Sequence, residues 1–204
     1  MYIPDHFQME TNFIYQSIDE NPFSILVSNN QGEMMATHLP LLLSEDKKSL
    51  IGHFAKPNPQ SLSSGTEVLC IFSGPHCYIS PAWYETERAV PTWNFTAVHV
   101  KGILTTVEDP KKIHESLLNL VKRFESQDSK YKIDSVDTNY IEGLKKGIVP
   151  FEIKITHIEG KQKLSQNHSV ERRNLVISNL DLMSGENEKA IASLMKKGLN
   201  QKTP

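Results

Sequence analysis

The sequence lacks the short motifs that hold nucleotides or activate nucleophiles. No G-x-G-x-x-G precedes a helical stretch, and no G-x-x-x-x-G-K-[ST] occurs. There is no G-x-S-x-G elbow; Ser73-Gly74-Pro75 and Ser80-Pro81 read as turn chemistry. Of the eight histidines, no two form an H-x-x-x-H pair, and no C-x-x-C occurs. His76 and Cys77 are adjacent on a strand-like segment and so point to opposite faces, which argues against a metal centre. Cysteine is scarce. Cys70 and Cys77 lie seven residues apart in apolar segments, and two buried thiols in a reducing cytoplasm are expected rather than a disulfide across a hairpin. No apolar run is long enough to span a bilayer. The start, Met1-Tyr2-Ile3-Pro4-Asp5-His6-Phe7, lacks the basic head and apolar stretch of a signal peptide, so a cytoplasmic location is expected. Charge of one sign is also missing. A net charge of −2 gives no general attraction to nucleic acid or to anionic membranes.

The 204 residues suffice for one core without disulfides or a structural metal. The stretch that organises the chain is Met34 to Pro59. Two apolar runs flank Ser44-Glu45-Asp46-Lys47-Lys48, which predicts a β-hairpin. Thr37, His38, His53 and Lys56 interrupt those runs. A hydroxyl, two imidazoles and an ammonium on paired strands suit a phosphate or a polar cofactor edge, and a hairpin with one wet face explains them equally well.

Before this stretch, Phe13, Ile14 and Ile18 predict a short helix over 11–19, stopped at Asn21-Pro22. A strand over 23–28 and a turn at Asn29-Asn30-Gln31-Gly32 follow. After it, 57–65 is a Pro/Ser/Gly connection. A strand over 66–72 is expected to turn back at Ser73-Gly74-Pro75 into 76–80. A loop over 82–91 carries Trp83, Tyr84, Glu85, Glu87 and Arg88. The longest β-like run is 92–107, with Gly102 as a bulge or close-approach point. Asp109-Pro110 then opens a helix, with Asp109 as cap. A polar loop over 127–137, a short helix over 139–146 ending at Gly147, a strand over 149–159 and two terminal helices near 170–182 and 186–197 complete the pattern. Six or seven strands with short connections predict an α+β domain around an antiparallel sheet or barrel.

Two further groups of residues stand out. Trp93-Asn94 offers an aromatic plane and a hydrogen-bonding edge to a flat ring, although a core Trp beside a turn Asn explains the pair as well. Lys163-Leu164-Ser165-Gln166-Asn167 gathers donors and acceptors after a strand, where an anion or a ring carbonyl would fit; a polar loop accounts for it too. From Lys161 onward the tail has a local excess of four positive charges, compatible with phosphate contact or with a solvated helix face.

Taken together, Met1-Tyr2-Ile3-Pro4-x-His6-Phe7, Ala36-Thr37-His38-Leu39-Pro40, Gly52-His53-x-Ala55-x-x-Asn58-Pro59, Ser73-Gly74-Pro75-His76-x-Tyr78-Ile79-Ser80-Pro81, Val90-Pro91-Thr92-Trp93-Asn94 and Gly160-Lys161-x-Lys163-Leu164-Ser165-Gln166-Asn167 resemble the PaiB family of FMN-binding negative transcriptional regulators. The resemblance runs through nearly the whole chain in order; Phe95 stands where tyrosine is commoner. It implies an antiparallel split β-barrel of six to seven strands in Greek-key order, with peripheral helices, like that of flavin reductases and pyridoxamine-phosphate oxidases. The expected division is a barrel domain over 1–168, with a helical insertion near 110–146, and a helical extension over 169–204. The resemblance further implies FMN at a homodimer interface and a non-enzymatic role in repressing bacterial degradative-enzyme and sporulation genes. By motif, Thr37, His38, His53, Lys56 and Asn58 would line the phosphate and ribityl end. Trp93, Asn94, Lys163 and Gln166 would approach the ring, partly from the second subunit. DNA enters as a partner only through the family's role, since no local element reads as DNA-reading. Two other readings stay open: a flavin-dependent oxidoreductase, and a barrel with a degenerate flavin site acting as an interaction or haem-binding module.

Overall fold

Seven extended segments hydrogen-bond side by side in the computed structural model, which describes residues 1–30, 32–85, 88–126, 128–131 and 137–200. Gln31, Glu87, Lys202 and most of the 127–137 connection lie outside the described residues. The strands are β1 (Phe23–Asn30), β2 (Glu33–Pro40), β3 (Leu42–Leu43), β4 (Ser49–Ala55), β5 (Glu67–Ile79), β6 (Thr92–Thr106) and β7 (Ile148–Lys163). Their order is β2-β1-β5-β6-β7-β4-β3, with β2 and β3 at the two open edges. The helices are α1 (Thr11–Glu20), α2 (Pro110–Phe124), α3 (Thr138–Lys146), α4 (Val170–Asp181) and α5 (Glu186–Asn200). The fold is α+β, a seven-stranded antiparallel split-barrel sheet with peripheral helices. Among the described residues no helix is long and apolar enough to cross a membrane.

The chain divides into two compact units, and β5, β6 and β7 each contribute residues to both. One unit comprises Asn21–Phe72 and His99–Ile158. Here β1 and β2 pair from Phe23↔Pro40 to Asn30↔Glu33, and the Gly32 N–H donates to Asn29 Oδ1 at 2.8 Å in the turn. On β4 the register with β7 runs from Ser49↔Lys154 to Ala55↔Ile148. Leu26, Leu41, Leu50, Phe54, Phe72, Leu104, Phe151 and Ile153 are buried, and the Phe54 and Phe151 ring centres lie 4.4 Å apart. Each such side chain contributes about 1.5–3 kcal/mol by leaving water.

The expected single hairpin over 34–59 is instead divided. β2 turns back onto β1, and only the short Leu42–Leu43 segment pairs with β4 across the Ser44–Lys48 turn. Pro40, which has no N–H to donate, ends β2, and the Leu41 N–H bonds to Pro22 O at 2.9 Å instead. Asp109 caps α2 by accepting from the Lys111 N–H, and Gly147 closes α3, both as the sequence predicts.

The other unit comprises Met1–Glu20, Ser73–Val98 and Glu159–Pro204. Its core joins Cys77 and Ile79 of β5, Leu164, and the inner faces of α4 and α5 at Val176, Ile177, Leu180, Ile191, Ala192 and Met195. No turn forms at Ser73-Gly74-Pro75, because β5 runs straight through it. A Cβ on Gly74 would come within 2.1 Å of Thr96 Oγ1, so this glycine admits a neighbouring side chain rather than reversing the chain. β7 likewise continues past Gly160 to Lys163, placing Lys161 and Lys163 on the strand rather than in a loop. Cys70 and Cys77 are free and buried.

Candidate functional site

The first group of predicted site residues lies in the unit built on β1, β2 and β4. Thr37 on β2 and Asn58, just after β4, are brought together: Asn58 Nδ2 donates to Thr37 Oγ1 at 3.0 Å. The Thr37 hydroxyl donates in turn to Gln60 Oε1. Gln60 is fully buried, and its amide nitrogen donates to Ser28 Oγ at 2.9 Å and to Met35 O at 3.2 Å. Asn58 also caps the 3-10 turn Pro59–Ser63 by accepting from the Gln60 N–H. A ligand therefore meets Thr37 and Asn58 as parts of a fixed network. His38 is exposed on β2 against the Phe23 ring, 6.2 Å between centres. Lys56 is exposed at the end of β4, its backbone N–H bonded to Gly147 O. His53 differs from the rest. Its Nδ1 is buried without a hydrogen-bond partner among the described residues, and burial holds the imidazole below its ordinary pKa.

The second group lies in the other unit. Trp93 at the start of β6 is exposed, and its ring neighbours His76 and Tyr78 on β5 at 6.3 and 6.2 Å. Asn94, one residue on, points the opposite way and is fully buried, its amide bonded to Ser165 Oγ at 3.1 Å and to Met195 Sδ at 3.5 Å. Lys163 on β7 donates to Trp93 O at 2.8 Å and to the Thr92 hydroxyl, which ties the ammonium to the root of the Trp93 strand. Burial lowers its pKa, and neighbouring Lys161 adds to that. Gln166 spends its side chain locally, accepting from the Leu164 N–H and donating to Gln162 O, both at 2.6 Å. The bend it braces has Ser165 in the left-handed region, φ 63°.

Beside this bend lies a cavity of about 320 Å³ whose wall includes Tyr84, Arg88, Asn94, Lys163, His168 and Arg172. Its size falls in the range of small-molecule sites. Arg172 Nε bonds to Glu85 Oε1 at 2.6 Å. Glu85 is held below the usual carboxylate range first by its own backbone N–H and then by Arg172. His168 is lowered by burial, then by Arg172 and Lys163.

Sequence reasoning did not single out Gln60, Tyr84 or Arg172 as site residues. Gln60 sits in a polar, Pro-rich connection with no periodicity; the only cue was Asn58-Pro59 as a cap and first turn. Tyr84 and Arg172 belong to a loop and a helix distant in sequence, and only folding brings them to one wall.

The open sheet and its helices define the class of flavin-type split barrels. The FAD and haem binding protein of Mycobacterium smegmatis superposes with a TM-score of 0.61 at 12% identity, covering 82% of this chain and 78% of that one. The flavocytochrome Anf3 of Azotobacter vinelandii gives 0.57 at 14% identity, covering 76% and 67%. Residues 1–157 match the family described as "Putative FMN-binding domain". Protease synthase and sporulation protein PAI 2 of Bacillus subtilis is 37% identical, over 98% of this chain and 99% of its own length. An uncharacterised protein of Emericella nidulans is 28% identical over 94% of each. The chain belongs to the PaiB-type FMN-binding domain family, whose cofactor is FMN.

Proposed function

We propose that the protein is a cytoplasmic, homodimeric, FMN-binding repressor of the PaiB kind, acting on bacterial degradative-enzyme and sporulation genes. Likeness to PAI 2 over nearly the whole of both chains supports the regulatory half. The observation that carries the flavin half is His53: a buried imidazole nitrogen left unpaired on a strand otherwise packed with Leu50 and Phe54 calls for a polar ligand. The donor set suits FMN. Lys56 and His38 would meet the phosphate, with Thr37 and Asn58 held ready for it or for the ribityl hydroxyls. Trp93 would offer its plane and Lys163 a charge to the ring, partly from the second subunit. Asn94 and Gln166, whose amides are already engaged, would act by holding the Ser165 bend. When bound, the flavin supplies a two-electron redox centre. The chain's own part is to hold the phosphate and to fix the ring against one aromatic face.

Residues 1–168 would form the barrel domain, with 110–146 inserted in it and 169–204 as a helical extension. Repression would pass through a partner or through the ligand state, since no local element supplies DNA readout.

The test is an FMN titration followed by quenching of flavin fluorescence, on wild-type protein and on His53→Ala and Lys56→Ala. Saturable binding weakened by both substitutions is expected, together with a dimer in sedimentation. Unchanged affinity in both variants would remove this end of the site. Steady NAD(P)H oxidation at enzymatic rates would replace the repressor by a flavin-dependent oxidoreductase. An intact dimer that takes up no FMN would leave a barrel with a degenerate flavin site serving as an interaction module.

A further inference from the structure

The cavity beside the Ser165 bend has a composition that the flavin does not use up. Three cations, Arg88, Lys163 and Arg172, line it. Glu85 engages one of them, Arg172. His168, just before the Ser169 cap of α4, and Arg172 in its first turn border the same space, so the positive end of a twelve-residue helix adds to the field.

The floor is built of buried polar groups. Asn94 is fully buried and Ser165 nearly so, and they bond to each other. Ser165 holds a left-handed backbone conformation that a serine adopts only at a cost of about 1–3 kcal/mol. The Tyr84 hydroxyl is buried in the wall, facing Ser165 without completing a hydrogen bond of good geometry. Burial raises its pKa, so it stays protonated as a donor. Phe7, Ala89 and Val90 line the same space, the Phe7 ring centre 6.0 Å from Lys163 Nζ. A space lined by cations, neutral donors and apolar groups together suits a small organic anion with some apolar surface.

We propose that this cavity is a second ligand site, taking a small organic anion with a carboxylate or phosphate-monoester head held by Arg172. The body lies against Phe7, Tyr84 and Val90. Glu85 acts as an internal anion that occupies Arg172 until the ligand displaces it. Lys163 and Asn94 border both this cavity and the proposed flavin site, whereas Arg172, Glu85 and Tyr84 play no part in the flavin reading and tell the two apart.

Calorimetric titrations with benzoate, phenyl phosphate and inorganic phosphate test it, each with and without saturating FMN. Benzoate or phenyl phosphate is expected to bind saturably and more tightly than inorganic phosphate, and which of the two binds better identifies the head group. Arg172→Gln should weaken that binding about tenfold, the effect of losing one charge-assisted hydrogen bond. Glu85→Gln should tighten it by about threefold by releasing Arg172. Melting temperature and FMN affinity should stay as in the wild type for both variants. The proposal is overturned if no probe saturates, if inorganic phosphate binds as well as the others, or if FMN competes one-for-one with the anion. It is overturned equally if Arg172→Gln and a remote control, Lys189→Gln, weaken binding alike.

Discussion

At the scale of single residues, burial sets the protonation of this protein more than charge pairing does. His53, His99 and His168 are all held below the ordinary imidazole value of 6.5, with desolvation the first cause in each. In the unfolded chain each takes up a proton near that value; in the folded chain each does so only at lower pH. Between the two the unfolded state binds more protons, so the contribution to stability is present above about 6.5 and is lost as the pH falls through the folded values. Melting temperature should therefore decline from pH 7.5 to 5.5, with a shallower decline in His53→Gln; a level profile would remove these histidines from the account. The thiols follow the same physics. Burial pushes Cys70 up to about 12 and Cys77 up to about 11, so neither forms a thiolate at neutral pH. Labelling with an aromatic disulfide reagent should be slow in the native protein and rapid in denaturant, whereas fast native labelling would show the thiols are reached by solvent.

Among elements, two contacts fix the geometry around the candidate site. Gln60 ties the 3-10 turn after β4 to β1 and β2 through Ser28, Met35 and Thr37. Gln60→Ala strands several buried polar groups and should destabilise by about 2–3 kcal/mol, read as a shift in the urea midpoint. A loss under 0.5 kcal/mol would mean the turn is held by its cap alone. Gly102 on β6 is the close-approach point that its place in a strand suggests. A Cβ there would lie 2.5 Å from Lys154 O on β7. Backbone cannot swing aside as a side chain can, so Gly102→Ala should cost about 1–3 kcal/mol by the same measurement, and an unchanged midpoint would show that the strands separate freely.

For the whole molecule, the proposed dimer would draw on the edges of the sheet and on the ligand. An open sheet with β2 and β3 at its edges leaves strand edges to be covered, and the proposed dimer covers surface of this kind. If FMN binds where two subunits meet, it should raise the melting temperature and shift sedimentation toward the dimer together. Flavin that stabilises the protein without changing its association state would place the site within one chain.

The sequence by itself determined the element types, because hydrophobic period, caps and punctuation are local. The caps at Asp109 and Gly147, the α1 stripe and the length of β6 all follow from neighbours a few residues apart. Motifs spread along the chain carried the family in the same way. Tertiary structure decided what pairs with what. Met34–Pro59 reads as one hairpin, yet β2 pairs along its whole length with β1, the strand just before it, and only Leu42–Leu43 is left to pair with β4. Ser73-Gly74-Pro75 reads as a turn, yet the packing of Thr96 requires the missing Cβ in an extended strand. Polar residues such as Asn94, Gln60 and Tyr84 carry no periodic signal, and only the fold brings each to its partners. A hydrogen bond between residues 71 positions apart is invisible until the chain that separates them is packed.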